Sequence, residues 1–161
     1  MRAVDYVLIG VLVFVFAIAF FIGKFAMSTV SDAITSIPTI AGHQEVVDAL
    51  EDTDETMGRA DYVIFGLFIG LVLAMIVGSY FMASHPILMF VYIIVVVISV
   101  IAGAFMSNAW ETTTQLSVFG STISEFPISN NLLSYLPFYN AVVGIIGIII
   151  MFAKYNREGG Y

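Results

Sequence analysis

The residue types best suited to chemistry gather in one short run, Glu51-Asp52-Thr53-Asp54-Glu55. Closely spaced carboxylates are what a hard cation such as calcium requires. The spacing does not fit a calcium loop, because Gly58 falls one position late and Val63 stands where a bidentate glutamate belongs. A solvated acidic face is the better reading. The histidines, His43 and His85, fall on segments expected at opposite membrane faces, so one chain cannot bring both to one metal. The chain has no cysteine, which removes disulfides, thiolate metal sites and cysteine nucleophiles. Serine and threonine hydroxyls are plentiful, but no general base lies near them in sequence. No catalytic residue, cofactor or metal site is expected, and the chain is read as a non-enzyme.

The elements that position these residues follow from hydropathy. Tyr62 to Trp110 runs 49 residues without Asp, Glu, Lys or Arg. One bilayer crossing takes roughly 20 apolar residues, so this stretch holds two crossings. His85-Pro86 lies near its midpoint and predicts a tight turn at Ser84-His85-Pro86. Upstream, Tyr6 to Gly23 is uncharged for 18 residues, about 27 Å of helix. A signal peptide is the rival reading, with Ala17-Ile18-Ala19 as its small-residue site. The apolar run continues past that site through Phe20, Phe21 and Ile22, which favours a true first span. Lys24 is expected to snorkel from its end to the interface. A last apolar run begins at Pro137, suited to the first turn of a helix, and ends at the basic, aromatic collar Lys154, Tyr155 and Arg157.

The predicted fold is therefore an all-α membrane protein forming a single integral membrane domain over 1–161. It has four transmembrane helices, a central tight helical hairpin and two long polar loops on one side. The spans are placed at about 4–27, 61–83, 87–109 and 137–154, with loops over 28–60 and 110–136. Within the first loop, Val46, Val47 and Leu50 among acids predict a short amphipathic helix from about Gln44 to Asp54. Its apolar stripe is expected on the membrane surface or on the protein's own loops.

Composition agrees. Apolar residues make up 60% of the chain and charged residues 11%, against about 25% charged in ordinary globular domains. Water cannot solvate a fold of this size with so much apolar surface. Net charge is −7, and the five cations are scattered at span edges, so no basic patch exists to hold nucleic acid.

Small residues mark the expected helix contacts. Gly66, Gly70, Ala74 and Gly78 recur every four residues on the second span. Ser99, Gly103 and Ser107 do so on the third. Counted outward from the turn, Gly66 falls level with Gly103 and Gly70 with Ser99, so the two columns are predicted to face each other. Gly144 and Gly147 give the fourth span a similar face. Tyr6, Tyr62, Trp110, Lys154 and Tyr155 are the expected interface anchors. Asp5-Tyr6-Val7 and Asp61-Tyr62-Val63 are near copies. If they are a true repeat, each Asp caps its own helix N-terminus; chance similarity between apolar segments is the competing reading. Three cations on the termini side against two on the other favour termini in the cytoplasm and both long loops outside.

No Asp, Glu, Lys or Arg sits at mid-span, which argues against a pump or coupled transporter. In general make-up, through stretches such as Gly66 to Gly78 and Gly144 to Met151, the chain resembles the small multi-span proteins of viruses and phages that carry a membrane. That resemblance implies a structural or assembly subunit in a cell or virion membrane. Its partners would be the lipid bilayer and other membrane or capsid-type subunits meeting residues 28–60 and 110–136, in a homo- or hetero-oligomer. A pore-forming oligomer of holin or channel type, and an accessory subunit of a membrane enzyme, are the alternatives.

Overall fold

The computed structural model describes residues 3–82 and 86–157, with side chains for residues 7–39, 42–81 and 87–157. Described residues form helices and short connections, with no strand among them. Four helices are long and apolar enough to cross a membrane. These are α1 (Ala3–Thr35), α4 (Ala60–Met82), α5 (Pro86–Thr114) and α8 (Leu136–Arg157). Between them lie α2 (Pro38–Ala41), α3 (Gln44–Gly58), a 3-10 turn (Ser117–Phe119), α6 (Gly120–Ile123) and α7 (Pro127–Ser134). Ser84 and His85 of the predicted turn lie outside the described residues, as do the side chains of Tyr6 and Pro86.

The two polar segments expected as loops are mostly helical, and two spans outrun their predicted ends. Hydroxyl side chains satisfy the helix locally in both places. Ser28 and Thr29 donate to the Phe25 carbonyl, and Thr35 to that of Ser31. Thr112, Thr113 and Thr114 donate in the same way to Asn108, Ala109 and Trp110. Such i−3 and i−4 bonds let polar residues continue a helix into water. At 33 residues, α1 is about 50 Å long, far more than the roughly 30 Å of hydrocarbon. Its outer half forms an arm. There α3 packs back along it, with Val47 and Leu50 of its stripe half-buried and Val46 exposed, so the stripe lies partly against the protein's own α1. Only Arg59 separates α3 from α4, and its backbone (φ −69°, ψ −10°) stays in the right-handed helical region. The pair therefore makes nearly one rod alongside α1.

Helix order within the bundle corrects the predicted glycine pairing. The outer ends of α1 and α5 and the starts of α4 and α8 share one end of the molecule, here called the cap end. The consecutive helices α4 and α5 touch little, because each packs mainly on α8. Gly66 and Gly70 are exposed, with nothing within 4 Å of where a side chain would begin. Ala74 and Gly78 are half-buried. Gly103 instead meets Pro137 and Asn140. Its column neighbours do likewise: the Ser99 carbonyl accepts from Asn140 Nδ2 at 3.1 Å, and Ser107 Oγ donates to the Ser134 carbonyl. The Ser99, Gly103, Ser107 column thus seats the corner between α7 and α8, not α4.

The tightest approach is between α5 and α8. Gly144 lies under the branched methyls of Val96, and Gly147 under the Tyr92 phenol. A Cβ at either position would overlap those atoms. Without side chains there, the helices meet closely enough for dispersion to hold them in lipid.

Substitutions separate the two glycine faces. Gly144→Leu is expected to destabilise the protein by ~2 kcal/mol or more through overpacking, lowering the melting temperature in mild detergent by roughly 5 °C. Gly70→Leu is expected to leave it within about 1 °C. Differential scanning fluorimetry of the two variants checks both, and equal losses would refute this helix order.

Candidate functional site

Among the described residues the buried charges sit at the cap end, where apolar spans give way to polar helices. Lys24 follows the apolar run of α1 by one residue and is 2% exposed. Its Nζ lies 2.6 Å from Asp54 Oδ2, 3.0 Å from the Asp54 carbonyl and 2.7 Å from Glu125 Oε2. Three acceptors match the three protons of an ammonium. Lys24 therefore does not snorkel. It turns inward because α3 and the α6–α7 connection bring acids over it, and pairing satisfies a charge that burial would otherwise penalise. Asp54 and Glu125 keep 30% and 44% of their surface in solvent, so the pair is only partly withdrawn from water.

Asp61, in the first turn of α4, is also buried. Its Oδ2 accepts from the Ile128 amide at 3.1 Å and its Oδ1 from the Ser129 amide at 2.7 Å. Those amides belong to the first turn of α7, which opens on Pro127. Proline has no N–H to satisfy, so the carboxylate takes the next two orphan donors and also complements the positive end of the α7 dipole. The cap expected on α4 itself is thus placed on a different helix, joining the starts of α4 and α7.

Trp110 corrects the set of interface anchors. It is fully buried, with its ring 5.1 Å from that of Phe21. Phe21 also meets Phe126 edge-on at 5.7 Å and Phe119 at 5.1 Å. The indole N–H donates to Asn130 Oδ1 at 3.0 Å. An aromatic ring with its one polar atom satisfied is a core residue, and here it unites α1, α5 and α7. Of the other expected anchors, Tyr62 is exposed and Tyr155 half-buried. Lys154 Nζ donates to the Tyr80 carbonyl at 3.1 Å and stands 4.3 Å above the Tyr80 ring. It fastens the end of α8 to the end of α4.

The acidic run lies on α3, where successive residues face different directions. Asp54 turns in to Lys24. Glu55 pairs with Arg59 at 2.6 Å in the open, and Glu51 and Asp52 are exposed. Among the described residues no three Asp, Glu or His side chains converge as metal ligands. His43 is exposed at the start of α3. Chemically, the cap holds helices together: one ammonium, one carboxylate and one indole tie α1, α3, α4, α5 and the α6–α7 segment into a lid over the bundle. Comparison with protein-family models, curated proteins and solved structures finds no match. The fold and site define an all-α membrane protein with four spans, closed at one end by a helical cap.

Two measurements test the cap. Lys24→Met leaves two carboxylates without their cation and is expected to cost ~1–2 kcal/mol, less than a fully buried pair because both acids keep solvent contact. Thermal melts in detergent read that loss. The single tryptophan should emit at short wavelength and resist quenching by both acrylamide and brominated lipid. Strong quenching by the lipid would return Trp110 to the interface.

Proposed function

We propose that the chain is a non-catalytic structural or assembly subunit of a larger membrane-embedded complex, with a virion membrane as one setting. Its partners dock on the cap-side segments 28–60 and 110–136, outside the membrane, and the termini lie on the cytoplasmic side. The observation that carries this reading is the arm. No residue of α3 is buried, although the helix is pinned to α1 by Lys24 and runs on into a membrane span. A rigid helix with Glu45, Asp48, Glu51 and Asp52 all facing solvent offers a fixed acidic surface for a complementary partner. The buried charges of the cap, Lys24 and Asp61, are engaged in holding helices and not turned toward a substrate cleft. The outward Gly66 and Gly70 face supports lateral packing on another membrane helix, in a homo- or hetero-oligomer.

Affinity purification of the full chain from its native membrane tests the proposal. Glu45→Lys, Asp48→Lys and Asp52→Lys together should abolish recovery of the arm's partners while leaving the melting temperature within a few degrees. Purified protein in dye-loaded liposomes should cause no release. Unchanged partner recovery, or rapid dye release by the chain alone, would overturn the subunit reading, and the latter would favour a pore.

A further inference from the structure

Near the cap end, a groove of about 460 Å³ opens where α7 meets the packed pair α4 and α8. Phe65, Ile69, Val72, Val142 and Ile128 line it. Phe65, Ile69 and Val142 are about two-fifths exposed, so the groove opens sideways on the surface that faces lipid. Its volume falls within the range of ordinary ligand sites. Asn131 lines the cap end of the groove and also lines a second, polar pocket of about 590 Å³. That pocket includes Asn130, Ser124, Ser134 and Glu111. Asn131 therefore stands on the shoulder of α7 between an apolar trough and a polar basin.

The two asparagines give the basin a definite chemistry. Asn130 Oδ1 accepts from the Trp110 indole N–H at 3.0 Å. An indole nitrogen only donates, so this bond fixes the amide with its oxygen inward and its NH2 outward. Asn131 Oδ1 likewise accepts from the Tyr139 hydroxyl at 3.0 Å. Both carboxamide oxygens are thus engaged by the protein, while neither amide nitrogen donates to another described residue. Asn130 and Asn131 follow each other on α7 and both line the basin, so each offers its NH2 there from its own side of the helix. Glu111 is the one charged residue lining the basin, which favours a positive group beside it.

We propose that groove and basin form a binding site for one glycerophospholipid with an amine-bearing headgroup. An acyl chain occupies the groove along α4 and α8, the phosphodiester oxygens accept from Asn130 and Asn131, and the ammonium lies by Glu111. The donors select phosphate, the acid selects amine, and the lateral opening lets the lipid enter from the bilayer.

Native mass spectrometry of the full chain in mild detergent tests this, with dioleoyl phosphatidylethanolamine and dioleoyl phosphatidylglycerol as probes. One ethanolamine lipid per chain is expected, retained at least tenfold more tightly than the glycerol lipid. Asn130→Asp with Asn131→Asp keeps both inward oxygens but replaces the donors with charge, and should weaken binding at least tenfold. Val142→Trp should fill the groove with the same result. Glu111→Gln, at an exposed position, should erase the difference between the two lipids without loss of fold. Absence of an adduct, equal retention of both lipids by the unmodified chain, or an adduct that survives Val142→Trp would overturn the site. So would a dimer that Val142→Trp dissolves, since a second copy would then occupy the groove.

Discussion

Lipid gives apolar helices no reason to prefer one another over acyl chains, so this bundle depends on close backbone approach. That approach happens where α8 meets α5, at Gly144 beneath Val96 and Gly147 beneath Tyr92. Because α8 occupies that slot, α4 cannot pack on its sequence neighbour α5 and leans on the other flank of α8. Once α8 is central, α7 must turn the chain into it at the cap. The Ser99, Gly103 and Ser107 column becomes the seat for that turn. The remaining span, α1, then closes the bundle against α4 and α5.

At the cap end the governing physics changes. Water is available, charges are affordable only in pairs, and polar segments can fold against each other. Lys24 and Asp61 each reach across to a different helix from the one that carries them. Together with Trp110 they make the cap one body with the spans. The groove and basin flank α7, which Asp61 holds at its start: the groove lies toward α4 and α8, the basin toward the end of α5.

Much of this was legible in the sequence, and the errors have identifiable physical causes. Long uncharged runs located all four spans, since no soluble fold tolerates them. Small residues at four-residue spacing correctly signalled a permitted close approach, but permission does not name the partner. Gly66 and Gly70 face outward, while Gly144 and Gly147, with less regular spacing, take the contact. Lys24 was legible in part: its side of the membrane carries most of the acids, which favours pairing over snorkelling, but nothing local names Asp54 or Glu125. Trp110 looks like an interface anchor in sequence because Asn130, and the rings of Phe119 and Phe126 that join it through Phe21, come from 110–136, a segment that reads as a polar loop. The orientation of the two asparagines rests on tertiary hydrogen bonds and has no sequence signal.

The excess length of α1 has an electrostatic consequence. From Gly23 to Thr35 the helix rises about 18 Å beyond its apolar run, and α3 lies along that stem with Gln44 at the far end and Gly58 near Lys24. Mobile ions damp a field within about 8 Å at physiological ionic strength. Asp54 is level with Lys24, so Asp48 and Glu45, six and nine residues back along α3, stand about 9 and 14 Å further out along the arm, between one and two damping lengths beyond the apolar run. The field of an anionic leaflet therefore fades along the arm, and the acids at its far end present their potential mainly to whatever arrives from solution.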